Sequence, residues 1–227
     1  MTRRFGWLGF SEQEILQRAR GALDKGFRAL KLTVGAADLE IDIRRPSALR
    51  AAVGDEVDIM LDANQKWCLP QAMNACQALS TISPFWIEEP THPDDIAGHQ
   101  KLAEQIKPMA IALGEHVANR VQFKNYLEAG CVDFVQVDCT RVGGISEFIT
   151  VSLLARKFCR PIVPHVGDMG QIHQHLVLFN HVALGHPKLF LEHIPHLRDH
   201  FRHPVQVKNG CLKNPTEPGS STEVLES

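Results

Sequence analysis

Six residues that can bind a cation or move a proton recur along this chain at one pitch. They are Asp62, Glu88, Glu115, Asp138, His165 and Glu192, about 23 to 27 residues apart. Each follows a short apolar run: Val57–Leu61, Pro84–Ile87, Met109–Gly114, Val132–Val137, Pro161–Pro164 and Leu189–Leu191. Three carboxylates at the ends of neighbouring strands, about 4.8 Å apart, repel one another and raise one another's pKa values. A hard divalent cation relieves that conflict, and an all-oxygen ligand set suits Mg²⁺. Asp138 and His165 end the next two runs. A carboxylate bonded to one imidazole nitrogen fixes the tautomer and raises basicity, so the pair reads as a general acid/base or as a histidine that caps the fold. Upstream, Lys31 ends the run Phe27–Val34, and alternation turns Thr33 to the same side. A lysine there holds a substrate carboxylate, serves as a base when desolvated, or makes a rim ion pair. Glu89 alternates away from Glu88 and reads as an ion-pair partner. Cation, carboxylates and base together suit removal of a proton α to a carboxylate through an ene-diolate.

These side chains need elements that bring distant residues to one place. Helix-like stretches lie between the runs. Ser11–Lys25 opens with a capping box, Ser11 with Glu14, and Leu69–Leu79 has Pro70 in its first turn. Pro93–Ile106, Arg120–Ala129 and Ile145–Phe158 carry apolar residues at three-and-four spacing. Gly130 suits a helix C-terminus. With Phe27–Val34 and a weaker first strand over Arg4–Phe10, the pattern predicts eight strands and seven helices. An open dinucleotide-binding sheet wants a Gly-rich phosphate turn after its first strand, and no GxGxxG occurs. A closed (β/α)8 barrel of the TIM type is therefore expected, with its site at the C-terminal ends of the strands.

Composition excludes other classes. The 227 residues are 44% hydrophobic and 22% charged, with a net charge of -2. Such a chain has no basic footprint for nucleic acid. No apolar run reaches the length of a membrane span, and no apolar stretch follows the basic N-terminus as in a signal peptide. The six cysteines form no CxxC pair and read as buried free thiols in a reducing, cytoplasmic setting. Nine of the twelve histidines lie between His165 and His203. Their spacing is irregular, and only His173-x-His175 resembles a ligand pair.

The motifs Asp62-Ala63-Asn64-Gln65-Lys66-Trp67, Trp86-Ile87-Glu88-Glu89-Pro90-Thr91, Gly114-Glu115, Gln136-Val137-Asp138 with Arg141-Val142-Gly143-Gly144, and Pro164-His165 occur in this order. So ordered, the chain resembles the mandelate racemase branch of the enolase superfamily, over nearly its whole length. Within that branch it is similar to acid-sugar dehydratases of the L-fuconate dehydratase type, through Glu88–His99, Asn119–Lys124 and His196–Phe201. The resemblance implies a (β/α)7β variant of the barrel. It implies Mg²⁺ ligands at Asp62, Glu88 and Glu115, and an acid/base dyad of His165 and Asp138. It implies substrate contacts at Lys31, Asn64, Glu115 and Glu192. The implied reaction removes the C2 proton and the C3 hydroxyl of a sugar acid, leaving a 2-keto-3-deoxy acid.

Three features depart from that pattern. The family's Lys-x-Lys, whose second lysine is a base, is here Lys31-Leu32-Thr33. The residues after the histidine are Val166-Gly167-Asp168-Met169-Gly170. The sequence opens at what reads as the first barrel strand, so a barrel without the family's α+β capping domain is the expectation. The expected organisation is a barrel over 1–203 and a C-terminal tail over 204–227, poorly ordered from Pro204 to Glu223, with self-association into a homo-oligomer or aggregation. A second reading is a catalytically silent barrel that keeps metal or ligand binding.

Overall fold

A computed structural model describes residues 2–166, 171–188, 190–194, 198–216 and 218–225, with backbone alone for 2–5 and 198. Strands and helices alternate. The strands are β1 (Thr2–Gly6), β2 (Ala29–Thr33), β3 (Asp58–Asp62), β4 (Trp86–Glu88), β5 (Ile111–Leu113), β6 (Phe134–Val135) and β7 (Glu192–His193). The helices are α1 (Glu12–Asp24), α2 (Leu39–Val53), α3 (Leu69–Leu79), α4 (Ile96–Gln105), α5 (Arg120–Glu128), α6 (Ile145–Lys157) and α7 (Ile172–Leu184). All seven strands are parallel, in the order β6-β5-β4-β3-β2-β1-β7. Ile162 adds a parallel bridge to Val135 on the outer side of β6. That bridge is the seventh of the eight expected strand positions, and β7 is the eighth.

Alternation along each strand divides two cores. Leu30, Leu32, Ile59, Leu61, Ile87, Ile111 and Leu113 face the helices and pack with residues such as Ile15, Leu49, Cys76, Leu102, Phe123 and Phe148. Ala29, Met60, Trp86, Ala112 and Val163 form a separate inner cluster with Phe85, Ala110, Phe134 and Phe190. Val163 and Phe190 come from the two ends of the strand order. Phe190 nevertheless lies 6.0 Å from the Trp86 ring and 5.3 Å from Phe85. Only a sheet curled into a barrel brings both ends onto its middle strand.

The helix starts follow their chemistry. Ser11 caps α1 with the Glu14 capping box, and Pro70 sits in the first turn of α3. Asp95 and Asn119 cap α4 and α5. In the outer layer, buried His99 donates from Nδ1 to the Asp95 carbonyl at 2.8 Å.

Several expectations need correction. The first strand ends at Gly6, and Trp7–Phe10 form a turn closed by a 3.1 Å bond. Three cysteines are buried (Cys76, Cys131, Cys139), but Cys68, Cys159 and Cys211 are exposed; all six are free. The stretch after Pro204 is not devoid of structure. It carries an antiparallel hairpin, β8 (Val207–Lys208) with β9 (Cys211–Leu212), and Val224 bridges Phe201. Asn209 and Gly210 turn the hairpin with positive φ, 51° and 69°, as a tight two-residue turn of this twist requires. A Cβ on Gly210 would stand 2.1 Å from the Gly26 carbonyl oxygen, so the turn docks on the α1–β2 connection only as glycine. Leu189, Gly167–Gly170 and Pro195–Leu197 lie outside the described residues, including the altered motif after Val166 and part of the His196–Phe201 stretch.

Candidate active site

The inner faces of the strands change character within two residues. Above Ala29, Met60 and Trp86, at the C-terminal ends, stand Lys31, Asp62 and Glu88, all almost fully buried. Asp62 and Glu88 are register partners across β3 and β4. Glu115 follows β5, three residues beyond Ala112, the partner of Glu88. Gly114 makes this approach possible. Its φ is +152°, and a Cβ there would meet the Gln136 backbone at 2.6 Å.

Lys31 is the hub of one side. Its Nζ lies 2.5 Å from Glu88 Oε1, 2.7 Å from Glu192 Oε2 and 4.0 Å from Asp62 Oδ2. Trp86 Nε1 donates to the other Glu88 oxygen at 3.0 Å. Asn64 turns back on Asp62, giving its backbone N–H to Oδ1 at 2.9 Å and its Nδ2 to Oδ2 at 3.1 Å. Asn64 and Gln65 both have positive φ, as does Glu89 at 42°. The chain thus reverses sharply at the ends of β3 and β4, and at these positions the backbone is strained.

His165 is the hub of the other side. Its Nδ1 lies 2.8 Å from Asp138 Oδ2 and its Nε2 2.6 Å from Glu115 Oε2. Burial opposes the imidazolium, but bonds to Asp138 and Glu115 outweigh it and lift the pKa to about 9. Burial likewise raises Glu115, yet the His165 bond and the charges of His165, Lys31 and Arg141 hold it at about 2. Asp138 is pressed well below the usual carboxylate range; its bonds to His165, His173 and Thr140 overcome its burial. Thr140 gives both N–H and Oγ1 to Asp138 Oδ1, at 2.8 and 2.7 Å, which leaves Oδ2 for the histidine.

The structure thus brings every expected site residue to one mouth. It does not gather Asp62, Glu88 and Glu115 into a ligand triad. Lys31 and His165 engage two of these carboxylates instead, because their charges satisfy the same repulsion. Among the described residues, the three-residue group with all ligand atoms within 4.8 Å is Glu89, Glu115 and His116. Glu89 does pair away from Glu88, with His116 Nδ1 at 2.7 Å and Gln65 Nε2 at 3.0 Å. The donor set still fits a hard cation, since three acids end successive strands and Asp62 and Glu88 are direct register partners; Mg²⁺ suits such oxygens.

Sequence reasoning missed several contributors. His173 is fully buried, with Nε2 3.2 Å from Asp138 Oδ1 and 3.0 Å from the Cys139 nitrogen. It was visible only as one histidine in an irregular tract. Trp86 read as an apolar strand residue, and its indole N–H gave no sign of reaching Glu88. Arg141 lay inside a quoted motif. Its Nη1 stands 3.1 Å from His116 Nε2 and 3.7 Å from Glu115.

Known proteins share the sequence pattern and the fold. The chain is 38% identical to human mitochondrial enolase superfamily member 1 over 231 residues, covering 99% of this chain and 52% of that protein. It is 40% identical to L-galactonate dehydratase of Hypocrea jecorina, covering 98% and 51%. The chain thus spans about half the length of the curated relatives it matches. The crystal structure of the human protein superposes with a TM-score of 0.91 at 37% identity, covering 99% of this chain and 52% of that one. L-talarate dehydratase from Polaromonas, solved with Mg and L-glucarate, gives a TM-score of 0.84 at 30% identity, covering 96% and 59%. The expected Mg²⁺ is therefore the ion held by a solved relative. Residues 14–227 match the model of the enolase C-terminal domain-like family, and with the parallel barrel and its charged mouth this shows that the chain belongs to that family, within the enolase superfamily.

Proposed function

We propose that this barrel carries the acid/base machinery of an Mg²⁺-dependent sugar-acid dehydratase, acting on an L-fuconate-like acid. The observation that carries the reading is the His165–Asp138 pair facing a mouth built from Lys31, Asp62, Glu88, Glu115 and Glu192. Relatives named for dehydration of L-galactonate and of L-talarate or galactarate support the reaction class. Asp62, Glu88 and Glu115 are the residues that would hold Mg²⁺, which supplies positive charge to the substrate carboxylate as the C2 proton leaves.

The chain's own residues do the rest. Lys31, with Glu192, orients the carboxylate end of the acid, and Asn64 turns toward the same place. Asp138 holds His165 by Nδ1, so Nε2 is the atom that meets the substrate. In the structure Nε2 is held by Glu115 at 2.6 Å, one of the bonds that lift its pKa; released from Glu115, neutral His165 takes the C2 proton, and as an acid it returns it to the departing C3 hydroxyl. One proton moves, one water leaves, and the resulting enol becomes the 2-keto-3-deoxy acid. Thr33 is no base, because a hydroxyl is far too weakly basic at neutral pH. His165 therefore works alone, from one face. L-fuconate should be a poor substrate and its C2 epimer a better one.

The test is formation of 2-keto-3-deoxy acid from a panel of sugar acids with Mg²⁺. His165→Asn should abolish it, and Thr33→Lys should raise L-fuconate turnover. Rapid L-fuconate turnover that survives loss of His165 would overturn the reading. The same assay tests the silent-barrel alternative, which Thr33 favours: Mg²⁺ or sugar-acid binding without product would establish it. Six free thiols support a cytoplasmic setting. No helix among the described residues is long and apolar enough to cross a membrane.

A further inference from the structure

His173 reaches the acid/base pair from behind. It lies in the first turn of α7 and is fully buried. Its Nδ1 has no hydrogen-bond partner among the described residues, and its ring rests 6.1 Å from that of Phe148. Its polar contacts are made at Nε2, 3.2 Å from Asp138 Oδ1 and 3.0 Å from the Cys139 nitrogen. A buried imidazole with one nitrogen unpaired is unfavourable, and an apolar side chain would fill the place without that penalty. What the histidine adds is a tether at Nε2. Accepting the Cys139 N–H, it fixes the backbone just past Asp138; carrying the proton, it fixes Oδ1.

The local contacts of Asp138 do not supply this. Thr140 binds Oδ1 twice, but it is exposed and two residues along the same loop. Its bonds hold the carboxylate against that loop and do not tie the loop to its neighbours. Arg141, also in the loop, stands 3.8 Å from Oδ2. His173 belongs to another element. The strand position of Ile162 leads to His165, and α7 is the next helix along the chain. His165 and His173 thus share one strand–helix unit and grip Asp138 of the preceding unit by its two oxygens, Oδ2 at 2.8 Å and Oδ1 at 3.2 Å. A group that orients a catalytic side chain works only if it is itself held to within a fraction of an ångström.

We propose that His173 is a positioning residue that anchors Asp138 from α7 and so keeps Oδ2 aimed at His165 Nδ1. What that aim serves rests on the dehydratase reading, in which His165 is the acid/base. His173 touches no substrate; it acts through Asp138.

The experiment follows the hydrogen-bonded His165 Nδ1 proton by low-field proton NMR of histidine-labelled chain, identified by its loss in Asp138→Asn. The unaltered chain should show it. His173→Met should lose or broaden it while melting curves still report a folded protein. His173→Gln should keep it, because the glutamine amide reaches close to the place of Nε2. Should His173→Met fail to fold, His173→Asn, whose amide is too short, takes its part. With Mg²⁺ and a sugar acid that is turned over, His173→Met should lower kcat about tenfold, the size of one hydrogen bond, with KM little changed, and His173→Gln should restore it. A folded His173→Met or His173→Asn that keeps the signal, or a His173→Gln that behaves like them, would overturn the proposal. A signal that depends on His173 in a chain that dehydrates no sugar acid would sink the dehydratase reading alone. Dehydration with kcat and signal both indifferent to His173 would sink this inference alone.

Discussion

The floor and the mouth of the barrel are built by the same strands, yet they obey opposite rules. Met60 and Asp62, Trp86 and Glu88, and Ala29 and Lys31 are neighbours on one inward face, two residues apart. The floor is apolar and aromatic, and its rings pack edge-on or tilted at centroid distances of 5.0 to 6.0 Å. Such burial is favourable at about 25 cal/mol per Å². The mouth buries charges, and each buried charge is tolerable only through a partner. The two ends divide the labour: the floor secures the fold, and the mouth holds mutually repelling groups that a ligand or cation can recruit.

The largest expected break is on the floor. Trp86→Ala should destabilise the chain by about 3–5 kcal/mol through the cavity it leaves, read as a shift in the urea midpoint. Little or no loss would mean that the inner cluster is not the structural core. Lys31→Met comes next, at roughly 3 kcal/mol, because Glu88 and Glu192 lose their buried cation. Unlike the floor variant, its stability should recover as acid protonates those carboxylates; a urea series at falling pH checks this. A pH-independent loss would place Lys31 among packing residues instead.

Metal should act on the mouth and leave the floor untouched. At tenfold over its dissociation constant, Mg²⁺ should stabilise the folded chain by about 1.4 kcal/mol, a rise of roughly 3–6 °C in the melting temperature. Glu88→Gln should reduce that rise, and a missing rise in the unaltered chain would remove the metal site.

The smallest effect sharpens the contrast between buried histidines. His165 is faced by two carboxylates, whereas burial drives the pKa of His99 below 6.5, with only partial relief from the Asp95 carbonyl. His99 is thus buried neutral. Its folded pKa is depressed, so the unfolded chain binds the extra proton first as pH falls. Stability is unaffected above about pH 6.5 and is lost progressively as pH drops from there through the folded value. His99→Gln should flatten that acid slope, the smallest of these effects. An unchanged slope in chemical denaturation would show that His99 is already charged when folded.

Much of the barrel was legible because its signals are local. Ser11 with Glu14, Pro70 and Gly130 mark helix ends through hydrogen bonds or φ preferences that span a few residues. Two of the seven helices had no position in the sequence reading. α2 begins Leu-Glu-Ile-Asp-Ile, which alternates like a strand, and holds Pro46 inside it. α7 mixes histidines into an almost unbroken apolar stretch, which hides its polar face. The hairpin at Asn209-Gly210 carried a recognisable two-residue turn, obscured by strands of only two residues each. In the site, residue types and pitch pointed to the mouth, but partner choice did not follow from them.

Residue identity by itself determined that carboxylates, a lysine and a histidine would end successive strands, because strand alternation and the strand–helix pitch are properties of the local chain. Who pairs with whom is a property of the folded barrel. Lys31 joins Glu88 to Glu192 across the mouth of the barrel, His165 sits between Asp138 and Glu115, and His173, 34 residues past Cys139, closes behind Asp138 from a helix. Charge interactions depend on distance and burial. Those quantities exist only once the sheet has curled and brought the ends of distant strands into one buried mouth.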